Sequence, residues 1–152
     1  MKLAEALILR ADLKKRIEQL KQRLIRNAKI QEGEKAAEDP ETLIQEMEKN
    51  SQDLLLLIQQ INRTNSVAEM EKGVSLSDAI ASRDILVLKN NIYRDLAQAA
   101  TITHDLRTKS EIKFKSSISV SQIQERADHI AKAHRELDTR IQEMNWKTDL
   151  LG

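Results

Sequence analysis

Two groups of residues in this 152-residue chain have types and spacing that could do chemistry. In the first, Asn62, Arg63, Thr64 and Asn65 are followed, across an intervening turn, by Asp78, Arg83 and Asp84. A chain reversal between them would bring the two sets close in space. Arg and Asp together form either an ion pair that fixes the reversal or a polar pocket that reads a small anion or nucleotide. The ion pair is the plainer reading, and the ligand-binding candidates are Asn62, Arg63, Asn65, Asp78, Arg83 and Asp84.

The second group is His129 and His134. Five residues apart on a helix, they point from diverging faces, whereas two metal ligands on one face need a spacing of three or four. The chain has no Glu-x-x-His pair of the kind that places di-iron ligands inside a helical bundle. No metal site is expected, and His134 reads as a hydrogen-bonded core or interface residue with Asp138 one turn later as its partner. Gly33, Gly73 and Gly152 are isolated, which excludes a phosphate loop or a dinucleotide fingerprint. No serine sits in a Gly-x-Ser-x-Gly elbow. The absence of cysteine removes thiolate ligands, a thiol nucleophile and disulfides. No catalytic residue and no cofactor is assigned, and the reading leans away from an enzyme.

The elements that would position these residues are helices. Charged residues make up 32% and aromatic residues 2% of the chain, with three Gly and one Pro, and the rest is rich in Leu, Ile, Ala, Glu, Lys and Gln. The first helix is expected over about 3–31, with Leu13, Ile17, Leu20 and Leu24 on one stripe and Gly33 as a stop. Asp39 and Pro40 open a second over about 40–64, with Ile44, Met47, Leu54, Ile58 and Ile61 on a seam that Ser51 interrupts. Leu54 to Ile58 are consecutive apolar residues that point all round the helix and need neighbours on more than one side. This helix is expected to fray at Asn62 to Asn65, where side chains compete for backbone hydrogen bonds.

A short β-hairpin is expected within about 66–76, turning near Glu71 to Gly73, and Ser75 with Asp78 forms a capping box that opens a third helix over about 77–107. Ile85, Leu88, Ile92, Leu96 and Ala99 mark the inner face of that helix. Ile112 and Phe114 alternate with Lys113 and Lys115 as in a half-buried strand, over about 111–119, that could pair with the hairpin. The last helix, over about 120–148, has the cleanest register: Ile123, Ala127, Ile130, His134, Leu137, Ile141, Met144 and Thr148.

The formal net charge of +1 gives no global pull toward nucleic acid or an anionic membrane. Locally, residues 1–31 are basic and 32–53 acidic, so the first two helices attract one another when folded antiparallel. Nucleic-acid binding would use Lys14, Lys15 and Lys21 on the basic helix and Lys109, Lys113 and Lys115. Tyr93, Phe114 and Trp146 are scattered rather than grouped for base stacking, which disfavours it. No apolar run approaches the roughly 20 residues of a membrane span, and no secretory signal is evident, so a cytoplasmic protein without membrane contact is expected.

Several segments, "MKLAEALILRADLKKRIEQLKQRL", "INRTN" followed by "SLSDAIASRD", "SEIKF" and "RELDTRIQEMNW", together resemble the septicolysin-like family of small bacterial proteins of unknown function. The likeness runs in matching order along nearly the whole chain. Its motif positions here are Asn62, Arg63, Thr64, Asn65, Asp78, Arg83, Asp84 and Trp146, and no catalytic role accompanies them. The family name suggests a cytolysin, but the sequence offers no uncharged amphipathic segment suited to a bilayer.

The expected architecture is mainly α: a single domain over 1–152, built as a long antiparallel bundle of four helices with a small β-hairpin or short sheet at one end. Helices two and four carry more apolar surface than one thin rod covers, so a homo-oligomer is expected.

Overall fold

The structure is a computed structural model that describes residues 1–101 and 113–152. Among the described residues the order is α1 (Leu3–Arg26), α2 (Pro40–Val67), β1 (Glu69–Glu71), β2 (Val74–Ser75), α3 (Leu76–Ala100) and α4 (Val120–Lys147). The protein is mainly α, with four helices and one two-stranded antiparallel sheet. Two compact units divide it: Met1–Glu69 with Gln142–Gly152, and Met70–Ile141.

In the first unit α1 and α2 form an antiparallel hairpin. Leu3, Leu13 and Leu20 of α1 and Leu43, Leu57 and Ile61 of α2 are buried. Each such side chain removed from water contributes about 1.5–3 kcal/mol, which is what holds two charged helices together in this register. α1 stops at Arg26 rather than near residue 31. The Asn27 side chain explains the early end: its amide donates to the Arg23 carbonyl at 2.8 Å, while its oxygen accepts from the Glu38 backbone at 3.0 Å. Gly33, with φ of 85°, turns the loop beyond.

Asp39 caps α2 by accepting from the Glu41 backbone at 3.3 Å, with Pro40 in the first turn, as expected. The predicted fraying at Asn62 to Asn65 does not occur, and α2 runs on to Val67. Here the side chains bond back along the helix in place of competing with it: Thr64 Oγ1 donates to the Gln60 carbonyl at 2.8 Å and Ser66 Oγ to that of Arg63 at 2.8 Å.

The chain ends close over this unit. Lys2 and Asp149 form an antiparallel bridge, Leu3 N donates to the Thr148 carbonyl and Leu150 N to that of Met1, each at 2.9 Å. The Lys2 ammonium meets the Asp149 carboxylate at 2.8 Å.

In the second unit the hairpin lies where the turn residues placed it, with Gly73 at φ of 81° supplying the left-handed position. Ser75 and Asp78 form the capping box of α3, the Asp78 backbone donating to Ser75 Oγ at 3.1 Å. α3 and α4 run antiparallel: Arg83, early in α3, pairs with Asp138, late in α4, while Ala97 and Gln98, late in α3, line one groove with Gln124 and Ala127, early in α4.

Two expectations fail in this unit. Residues 113–119 contain no strand, and Phe114 is 81% exposed rather than half-buried, while Ile112 lies outside the described residues. Secondly, the inner face of α3 is not the stripe of Ile85, Leu88, Ile92, Leu96 and Ala99. All five are exposed. Leu76, Ala79, Arg83, Leu86, Asn90, Tyr93 and Ala97, at alternating steps of three and four, turn inward instead. The seam of α4 is as expected, with Ile123, Ala127 and Ile141 buried.

Candidate functional site

The six candidate residues divide between the units. Asn62, Arg63 and Asn65 belong to the first, on the last turns of α2, and Asp78, Arg83 and Asp84 to the second, on the first turns of α3.

On α2, one face meets the end of the chain. Thr64 is 1% exposed, and its hydroxyl accepts from Leu151 N at 3.0 Å while donating back to Gln60. Arg63 is exposed and donates to the Gly152 carbonyl at 3.4 Å. Asn62 is exposed. Asn65 is half-buried, and its Oδ1 is shielded from solvent without a hydrogen bond. A buried amide oxygen left unbonded costs about 1–3 kcal/mol, which singles it out among these residues.

On α3, Asp78 is committed to the capping box. Arg83 Nη1 donates to Asp138 Oδ1 at 2.9 Å, and its Nε lies 3.8 Å from the exposed Asp84 carboxylate. The ion pair that Arg83 makes is therefore not one that fixes the reversal: it ties α3 to α4, through Asp138. Nearby in the same unit Arg140 lies 3.6 Å from Glu71 of the hairpin.

Two grooves were not foreseen. Between α3 and α4, a polar one of about 470 Å³ is lined by Asn90, Arg94, Gln98, Gln124 and Asp128, and the Asn90 Oδ1 is buried without a hydrogen bond. Its sequence signal is an asparagine on the 3-4 register that runs through Leu86, Tyr93 and Ala97. Between α1 and α2, a more apolar groove of about 690 Å³ has Met1, Leu9, Leu56 and Leu57 on its walls and Arg16 and Asp53 among its polar residues. Among the described residues no group of three or more His, Asp or Glu is placed to hold a metal ion. No helix among them is long and apolar enough to cross a membrane.

Electrostatics are pronounced at two ion pairs of the first unit. The hydrogen bond from the Arg23 guanidinium holds the Glu38 carboxyl below its ordinary range, with the charges of Arg23 and Arg26 acting the same way, and raises Arg23 in turn. Lys2 likewise lowers Asp149 through a hydrogen bond and its charge. Both pairs join segments distant in sequence, so their role is to fix the connection and the chain ends.

Residues 10–150 match the model of a family of unknown function, DUF6847. The chain belongs to that family. A solved structure with the same fold, a functionally unknown conserved protein from Corynebacterium diphtheriae, is 41% identical, with a TM-score of 0.94 and 99% of each chain covered. No curated protein matches the chain. Family membership thus fixes the fold and leaves function to be argued from the surface.

Proposed function

We propose that this family member is a non-enzymatic helical protein that works by assembling with copies of itself. The observation that carries this reading is the outward face of α3, where Ile85, Leu88, Ile92 and Leu96 are 53%, 54%, 56% and 39% exposed. Scattered apolar side chains on a surface are ordinary, but a contiguous row along three turns is the kind of patch that marks an interaction site. The polar residues that suggested chemistry have structural work: Asp78 caps, Arg83 joins two helices and Thr64 holds Leu151. The resemblance to septicolysin-like bacterial proteins belongs to the same reading, as a lineage that brings no activity with it. A cytoplasmic location suits such a protein. The test is solution mass: a discrete oligomer at micromolar concentration is expected, and a strict monomer rejects the reading.

A second reading rests on Arg63, exposed on the last turns of α2, whose guanidinium donates to the Gly152 carbonyl at 3.4 Å and carries further N–H donors suited to an anion. A small anion or nucleotide held there would raise the melting temperature by mass action. Phosphate and nucleotides are the probes, and Arg63→Ala should abolish the shift. Arg83→Ala is the weaker test because it unties α3 from α4. A flat response to all of them rejects this site.

A further inference from the structure

α3 carries two stripes of residues at helical spacing. One faces α4, and the other, Ala81, Ile85, Leu88 and Ile92, is exposed in the chain. The steps between the exposed residues are four, three and four, which is a seam of two heptads with Ala81 and Leu88 at one core position and Ile85 and Ile92 at the other. Isoleucine at the first core position with leucine at the second is the pattern that favours two helices side by side in parallel. The flanking charges point the same way. Asp84 precedes Ile85 on one edge of the seam and Lys89 follows Leu88 on the other, both exposed. In a parallel pair, opposite edges meet, and a residue faces the one five positions later on its partner. That brings Asp84 against Lys89. In an antiparallel pair with Ala81 opposite Ile92 like edges meet, which leaves Asp84 and Lys89 on opposite sides of the seam, unable to pair.

Asp78 and Asp95 occupy the next core positions before and after this stretch. Each would face its own copy across a two-fold axis if the seam continued, so they bound the contact, which runs about two turns before Leu88 and one turn after it.

We propose that a second copy of the chain seats on the outward face of α3, the two helices parallel about a two-fold axis. Ala81, Ile85, Leu88 and Ile92 form the seam, and Asp84 faces Lys89 of the partner subunit. The proposal rests on the self-assembly reading above and gives it a surface, an orientation and a stoichiometry of two.

The chain has no cysteine, so introduced ones report without background. Ala81→Cys and Ile92→Cys, made separately, lie about 16 Å apart along the helix at 1.5 Å per residue. Mild oxidation is followed by non-reducing electrophoresis, with molar mass measured on the reduced proteins. A dimer in which each variant links to itself is the expected result, because a parallel seam places identical residues opposite one another within disulfide reach. A dimer in which neither links to itself, but a mixture of the two does, overturns the parallel arrangement. A dimer or larger assembly without any linkage overturns the α3 surface while leaving self-assembly standing. A monomer of both overturns the two together. Lys89→Asp should weaken the native dimer at least tenfold and the added Asp84→Lys should restore it; a swap that fails to restore it counts against the paired edges.

Discussion

At the scale of single residues, the polar side chains of this protein mostly serve connections. Glu38 is the clearest case, because its carboxyl lies below the ordinary range only while Arg23 holds it. Between the lowered folded value and the ordinary one, the unfolded chain binds more protons, so stability rises with pH through that window. The contribution is complete at neutral pH and is lost as the pH falls through the folded value. Glu38→Gln should therefore melt a few degrees below the native protein at about pH 7, with the gap closing as the pH falls through the ordinary carboxylate range and on through the lowered folded value. A gap that stays constant across this range would mean that the ion pair does not set the acid response. Asp149, held down by Lys2, adds to the same acid limb.

The residue scale also shows what could be read from the sequence. Asp39 before Pro40, and Ser75 three residues before Asp78, were legible because a cap is a local arrangement whose partners lie within one turn. Thr64 was not, because the hydroxyl can compete with the helix or bond back along it. Its second partner, Leu151, is distant in sequence. An Arg–Asp ion pair was anticipated as the fastener of the reversal, whereas Arg83 pairs across two helices. Asp84 and Asp78 are its neighbours in sequence, while Asp138 comes from the facing helix.

At the scale of elements, the four helices followed from periodicity, and α1 and α4 bury the stripes that their spacing marked. α3 went the other way. Its apolar stripe stays outside, and its inner face includes Arg83, Asn90 and Tyr93, which a search for apolar residues passes over. Periodicity shows that a helix has a face to bury but does not say against what, and a helix with two faces has two answers. Over 113–119, the described part of the strand expected at 111–119, the expectation failed for a related reason: alternation over four residues is too short to separate a strand from a loop carrying one exposed Phe114.

The two faces of α3 make opposite predictions. Leu86→Ala, on the inner face, should destabilise each chain by about 1–3 kcal/mol in denaturant unfolding, the range for losing part-buried apolar volume. Leu88→Gln should leave the stability of the isolated chain within about 0.5 kcal/mol, as for a surface substitution, while weakening association. Equal losses of stability from the two would contradict the assignment of faces.

At the scale of the whole molecule, the account is that an apolar row left open on one chain is closed by another. The loss of Leu88 should then change mass without changing fold. The most direct measurement is molar mass by light scattering behind a sizing column for the native protein and Leu88→Glu, side by side at micromolar concentration. The account predicts a native mass of twice the 17.4 kDa chain and a helical but monomeric Leu88→Glu. A native monomer, or the same dimer mass for both, would contradict it.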